Sequence, residues 1–249
     1  GNDHRDKYYT KTRRMVMSKA HYKLDIDTRG ALRYDVNLYE LMGRKPERSH
    51  WLWWPDEMNT VFNQHWLDYL STKRLTPTGV LVFYKSANHN TTVLPGGIHI
   101  DAIPLEEYKQ QKLQEKSFVH YSINLVVNPG YLTGDGHSPE YKDWKDNAVM
   151  RWYNHTNPQD DKILTLRTPD NNSYRHRETH PDGTNDLVEV QEDCNYATLV
   201  NTSLPHEVET FDKPRLCFSL RGFTQLRNRK IADWQDVLNF FNEYNLIVE

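Results

Sequence analysis

The spacing of hydrophobic positions changes character near residue 79. Before it, Met58, Val61, Phe62, Trp66, Tyr69 and Leu70 recur near helical spacing. They follow Trp54-Pro55-Asp56-Glu57, which offers a proline at a first helical position and acids in a first turn. Trp51-Leu52-Trp53-Trp54 reads as the hydrophobic start of this helix. Thr76-Pro77-Thr78-Gly79 then punctuates the pattern. Beyond it the apolar residues fall in short runs, predicting strands at 80–83, 98–102, 119–127, 149–153, 163–166, 196–201, 207–211 and 215–223. Asn128-Pro129-Gly130 ends one of them. Residues 104–116 are polar with Leu105, Tyr108 and Leu113, a short helix or lid. A second helix closes the chain, with Asp233 as N-cap and Trp234, Val237, Leu238, Phe241 and Tyr244 as its apolar stripe.

Many short strands between two helices predict a mainly β fold with flanking helices, a double-stranded β-helix (jelly-roll) core. Residues 1–78 are expected to form a mostly helical region packing on that core. Residues 79–249 are expected to form the β domain, with a polar insert at about 129–190 and the C-terminal helix. The 249 residues suit one large domain or two small ones.

Composition narrows the function classes. Charged residues are 26% and the net charge is −3, which excludes a strongly basic nucleic-acid coat. Lys11, Arg13, Arg14 and Lys19 read as a solvated face. Mean hydropathy is −0.85, and no apolar run reaches the ~18–20 residues of a membrane span. No secretory leader pattern opens the sequence. Two cysteines, Cys194 and Cys217, make neither a disulfide framework nor a zinc ribbon. They read as buried thiols in a reducing, cytoplasmic compartment. Twelve histidines make a metal worth seeking.

His99-Ile100-Asp101 is the first candidate. Residues i and i+2 of a strand point to one face, so the imidazole and the carboxylate aim at the same space. Leu204-Pro205-His206-Glu207-Val208 supplies a second histidine at the entry to a late strand. Two histidines and one carboxylate form the facial triad of non-haem Fe(II) oxygenases, which leaves adjacent positions for a bidentate 2-oxo acid and for O2. Arg215 lies nine residues after His206 and offers a planar clamp for a distant carboxylate. Along 215–221 the alternation is strict. Arg215, Cys217, Ser219 and Arg221 share one face; Leu216, Phe218 and Leu220 share the other. Two arginines on one strand face suit a polar cavity, or an edge strand with solvated arginines.

His99-x-Asp101, then His206, then Arg215 resembles the 2-oxoglutarate/Fe(II)-dependent oxygenase superfamily over roughly residues 79–223, and 197–208 is similar to its approach to the distal histidine. The resemblance implies that His99, Asp101 and His206 bind Fe(II) and that Arg215 binds the C5 carboxylate of 2-oxoglutarate. It implies hydroxylation of a substrate by O2, with release of succinate and CO2. Arg215-x5-Arg221 resembles the paired arginines of AlkB-type nucleic-acid demethylases, whose first arginine lies further from the histidine. The nine-residue spacing resembles prolyl and aspartyl/asparaginyl hydroxylases, which favours a peptide side chain or a small molecule and disfavours nucleic acid. On the strand after H-x-D, Asn124 or Tyr121 is expected to touch the co-substrate. Ser219 is expected beside the clamped carboxylate, and Arg221 is expected to face the substrate.

Other readings stay open. A cupin-like metalloenzyme would use the metal without a 2-oxo acid, and a non-catalytic β-sandwich would keep only the fold. His137, His155, His176 and His180 crowd the polar insert, where His176-x3-His180 has the spacing of a helical zinc pair; Pro181-Asp182-Gly183 argues against a helix there. The insert reads as a lid or substrate-recognition loop.

Overall fold

A computed structural model describes residues 18–41, 50–53, 55–88, 97–101, 120–133, 144–167, 173–183, 185–192, 194–227 and 229–248. The strands in chain order are β1 His21–Leu24, β2 His50–Trp53, β3 Pro77–Lys85, β4 His99–Ile100, β5 Tyr121–Val127, β6 Ala148–Tyr153, β7 Lys162–Arg167, β8 Ser173–Glu178, β9 Leu187–Gln191, β10 Thr198–Asn201, β11 His206–Thr210, β12 Arg215–Phe223 and β13 Ile247–Val248. Among the described residues two longer helices, α1 Gln64–Thr72 and α2 Trp234–Glu243, complete the frame, with one further helical turn at Leu38–Leu41.

The strands form two antiparallel sheets. The larger runs β13-β1-β10-β5-β12-β3-β2 and the smaller β7-β8-β4-β11-β6-β9. β12 is the spine of the larger sheet, paired with β3 on one side and β5 on the other, and all nine of its residues are buried. Its even positions (Leu216, Phe218 and Leu220) join Val80, Val82, Tyr121, Ile123, Leu125 and Leu199 in the main core. Trp66 and Leu70 of α1 and Trp234, Val237, Leu238 and Phe241 of α2 close that core from the other side. The helices therefore cover the outer face of the larger sheet.

A smaller apolar cluster ties the sheets together: Ala148, Met150, Trp152 and Val208 of the smaller sheet pack with Ala20 and Val200. Trp152 Nε1 donates to Asn201 O across the gap at 2.9 Å. β12 thus has two buried faces of opposite character, one apolar against the helices and one polar between the sheets.

Several expectations are corrected. Trp51–Trp53 is strand rather than helix: β2 pairs with β3, and Pro55 downstream disfavours helix before it. α1 begins at Gln64, not at Pro55. Met58–Thr60 is only a 3-10 turn, and Phe62 leaves it to form a bridge with Leu32. Asn63 Nδ2 donates to the carbonyls of Gly30 and Leu32, at 2.9 and 2.7 Å, which holds the bend. Residues 1–78 also contribute β1 and β2 to the larger sheet, so the region is not simply helical. The stretch 129–190 is not all insert either, because β6 is the central partner of β11.

The Asp233 N-cap holds: its Oδ1 accepts from Asp236 N at 3.0 Å. Both cysteines are buried thiols outside any disulfide. The expected element at 104–116, the cluster Lys11, Arg13 and Arg14, and His137 lie outside the described residues. Among the described residues no helix is long and apolar enough to cross a membrane.

Candidate metal centre

β4 is short, but its position is fixed from both sides. His99 pairs with His206 of β11 and with Glu178 of β8. His206 pairs in turn with Trp152 of β6, which faces the space between the sheets. Directly opposite residues share a sheet face, so both imidazoles enter that space. Asp101 follows β4 and is anchored by its own N–H, which donates to Thr202 O at 3.0 Å.

The ligand atoms of His99, Asp101 and His206 all lie within 4.8 Å of one another. Asp101 Oδ1 is 3.4 Å from His99 Nε2 and 3.6 Å from His206 Nε2, and the ring centroids are 4.4 Å apart. The two rings are held alike. His99 Nδ1 is 2.9 Å from Gly97 O and His206 Nδ1 is 2.7 Å from Leu204 O. A carbonyl can only accept, so each Nδ1 carries a proton and each Nε2 is left as the ring atom facing Asp101. That tautomer is the one a metal ligand needs.

The electrostatics agree. Burial, and then the nearby His99 ring, push the His206 imidazole down to about 4, so it is neutral at pH 7. Burial opposes ionisation of Asp101, but Arg221, with His99 and His206, overcomes it and holds the carboxyl well below the usual range. The His99 imidazole, the neutral His206 imidazole and one ionised carboxylate converge, a donor set that fits a divalent first-row metal.

Arg221 is where the geometry departs from expectation. Its Nη1 lies 2.5 Å from Asp101 Oδ2, so it orients the carboxylate rather than reaching outward to a substrate. The remaining inner-face residues of β12 continue away from the triad. Ser219 Oγ donates to Asn124 Oδ1 at 2.9 Å, and Ser122 Oγ donates to the same oxygen at 3.0 Å. Asn124 thus lines the inter-sheet space. Tyr121 does not: it stands on the outer face of β5, packed among Phe223 and Phe241. Burial pushes the Cys217 thiol up, while the charges of Arg215 and Arg221 act against it. Arg215 is buried at the far end of the strand.

Two residues escaped sequence reading. Lys85 ends β3, pairs directly with Arg215 and is buried. Its only sequence signal is its place two residues beyond Phe83 on a strand, which says nothing until the register with β12 is known. Glu178 stands beside His99 in register, its Oε1 3.4 Å from His180 Nε2. His176 belongs to β8, so the helical zinc spacing with His180 is not realised. His155 Nε2 lies 2.8 Å from Asp161 Oδ2, in a separate pair. A cavity of about 370 Å³ opens at the other end of β5, lined among others by Tyr34, Tyr131, Trp144, Lys145 and Cys194 and by none of the triad.

Fold and site together define a mainly β protein of two antiparallel sheets with a group able to hold a metal ion between them. No family model, no curated protein and no solved structure matches the chain significantly.

Proposed function

We propose that this protein is an Fe(II)- and 2-oxoglutarate-dependent oxygenase built on a double-stranded β-helix. The fold reading is supported by the order of eight strands. β3, β5, β10 and β12 are contiguous in the larger sheet, and β4, β6, β9 and β11 are contiguous in the smaller. Apart from the β6–β9 step, where the β7–β8 hairpin intervenes, successive strands of this set alternate between sheets, as in a jelly roll.

The observation that carries the functional reading is the convergence of His99, Asp101 and His206 at one end of a buried polar strand face that ends in Arg215. The triad would hold Fe(II), and the guanidinium of Arg215 would take the distal carboxylate of the 2-oxo acid. A bound iron with 2-oxo acid and O2 supplies the oxidising chemistry, yielding hydroxylated product, succinate and CO2. The chain's own residues position and tune. His99 and His206 present fixed lone pairs, Arg221 fixes the Asp101 carboxylate, and Asn124 with Ser219 lines the path toward Arg215.

The test is anaerobic. Fe(II) and then 2-oxoglutarate are added to metal-free protein, and the visible spectrum is recorded for wild type, His99→Ala and Arg215→Ala. A weak charge-transfer band is expected that needs both additions, disappears in His99→Ala and weakens in Arg215→Ala. Iron binding without the band would favour the cupin-like reading. No iron binding would leave a scaffold and sink the oxygenase.

A further inference from the structure

The register of β3 on β12 sets Lys85 directly opposite Arg215. Both side chains stand on the inner face, and both residues are buried, at 7% and 8% exposure. Like charges directly opposite one another destabilise a sheet, and burial raises the cost. Among the described residues neither cation has a carboxylate within ion-pair distance. Glu207 is the acid that acts on Lys85, but it is itself engaged by Tyr153 Oη at 2.6 Å and Arg151 Nη1 at 3.4 Å. Two buried cations side by side, facing a polar inter-sheet space, are a ready seat for an anion.

We propose that Lys85 is a second co-substrate-binding residue: with Arg215 it seats the carboxylate of the 2-oxo acid that lies away from the metal, and the seat takes up one proton as it fills. The inference rests on the oxygenase reading above and adds to it a residue, a selectivity and a proton linkage.

The linkage follows from the surroundings of Lys85. Burial, and then Arg215, push its ammonium down to about 7. Among the described residues the charged groups that act on it are Arg215 of β12 and Glu207 of β11; Cys217 follows Arg215 on the same strand face, and His50 of β2 is the other register neighbour of Lys85. A carboxylate seated between Lys85 and Arg215 adds the missing opposite charge, which favours the protonated amine. Below pH 7 Lys85 is already charged, and binding needs no proton. Above pH 7 the empty seat is largely neutral at Lys85, so binding draws a proton from solvent and affinity falls as pH rises. A 2-oxo monocarboxylate has no second carboxylate to offer and escapes the linkage.

The experiment is anaerobic calorimetry on Fe(II)-loaded protein, titrated with 2-oxoglutarate and separately with pyruvate. Each is run between pH 6.5 and 8.5 in paired buffers of different ionisation heat. For wild type, proton uptake with 2-oxoglutarate is expected to rise from near zero toward one, and Kd to rise toward about tenfold per pH unit above 7. Lys85→Arg is expected to keep affinity at pH 6.5 and lose the uptake. Lys85→Met is expected to lose both affinity for 2-oxoglutarate and its preference over pyruvate. Binding of 2-oxoglutarate by wild type with no proton uptake beyond that of Lys85→Arg overturns the role of Lys85 and leaves the oxygenase standing. No binding of 2-oxoglutarate at any pH overturns both.

Discussion

Arg221 Nη1 lies 2.5 Å from Asp101 Oδ2, and both side chains are almost wholly buried. The contact leaves Oδ1 turned toward the Nε2 atoms of His99 and His206. A residue 120 positions downstream therefore aims the one charged ligand of the centre. Arg221→Met would strip the buried carboxylate of its counter-charge. Metal affinity is expected to fall about 10–100-fold, and the metal-free protein to lose about 3–5 kcal/mol of stability. Arg221→Lys keeps the charge without the fork and should fall between. Titration with Fe(II) and urea unfolding check both; unchanged metal affinity in Arg221→Met would remove its positioning role.

The centre should fail on the acid side. His206 has its folded-state value at about 4, below the 6.5 of an unfolded histidine. The unfolded chain therefore binds more protons between these limits, and stability falls as pH drops from 6.5 toward 4. The loss from this group is about 3 kcal/mol. The same protonation competes with metal. Urea midpoints at pH 6.5 and 4.5 for wild type and His206→Gln measure it, with a smaller drop expected in the variant.

Lys85 should cost the empty protein stability. Its folded value near 7 lies below the ordinary 10.5, so the cost is full below pH 7 and is relieved as pH rises toward 10.5. Lys85→Met is expected to stabilise the metal-free, ligand-free protein by about 1–4 kcal/mol at pH 6. The gain should shrink toward pH 10. A variant less stable than wild type at pH 6 would mean that Lys85 has a counter-charge in the resting protein.

Asn124 Oδ1 receives two hydroxyls, from Ser122 and Ser219. Asn124→Ala leaves both donors in a buried space and is expected to cost about 1–3 kcal/mol. Because Asn124 touches no member of the triad in the hydrogen-bond and ion-pair network described above, metal stoichiometry should not change. Calorimetry on the variant checks both halves.

Phe241 meets Tyr121, Phe223 and Phe240 edge-on beneath the larger sheet. Phe241→Ala is expected to cost about 3–5 kcal/mol with metal binding retained at low temperature. Loss of metal binding before any unfolding would show that the helix layer, and not only the sheets, sets the geometry of the centre.

Much of the strand pattern was legible because it lies in local alternation. β12 falls where 215–223 was expected, and the expected runs at 80–83, 149–153 and 163–166 lie within β3, β6 and β7. β1, β2, β8, β9 and β13 were not legible. His21–Leu24 and Ile247–Val248 are short strands that need each other and β10 to exist as strands. Ser173–Glu178 is a polar near-edge strand without an apolar stripe, and Leu187–Gln191 is a short edge strand whose Leu187, Val188 and Val190 are left exposed. The tryptophans around 51–54 misled because aromatic residues serve helices and strands alike, and pairing with β3 decided the matter.

The candidate site divides along the same line. Residue chemistry and i, i+2 spacing put His99 and Asp101 on one face and all four polar positions of β12 on another, because those facts depend only on the geometry of a single strand. Which sheet face is buried against helices and which against the second sheet is decided by packing. That choice removed Tyr121 from the site and kept Asn124 in it. The contact of Arg221 with Asp101 and the pairing of Lys85 with Arg215 depend on the register between strands far apart in sequence. A register is fixed by the whole sheet at once, since a one-residue slip would turn every side chain to the other face. The sequence determined the candidate ligand set; the tertiary structure decided which charges surround it.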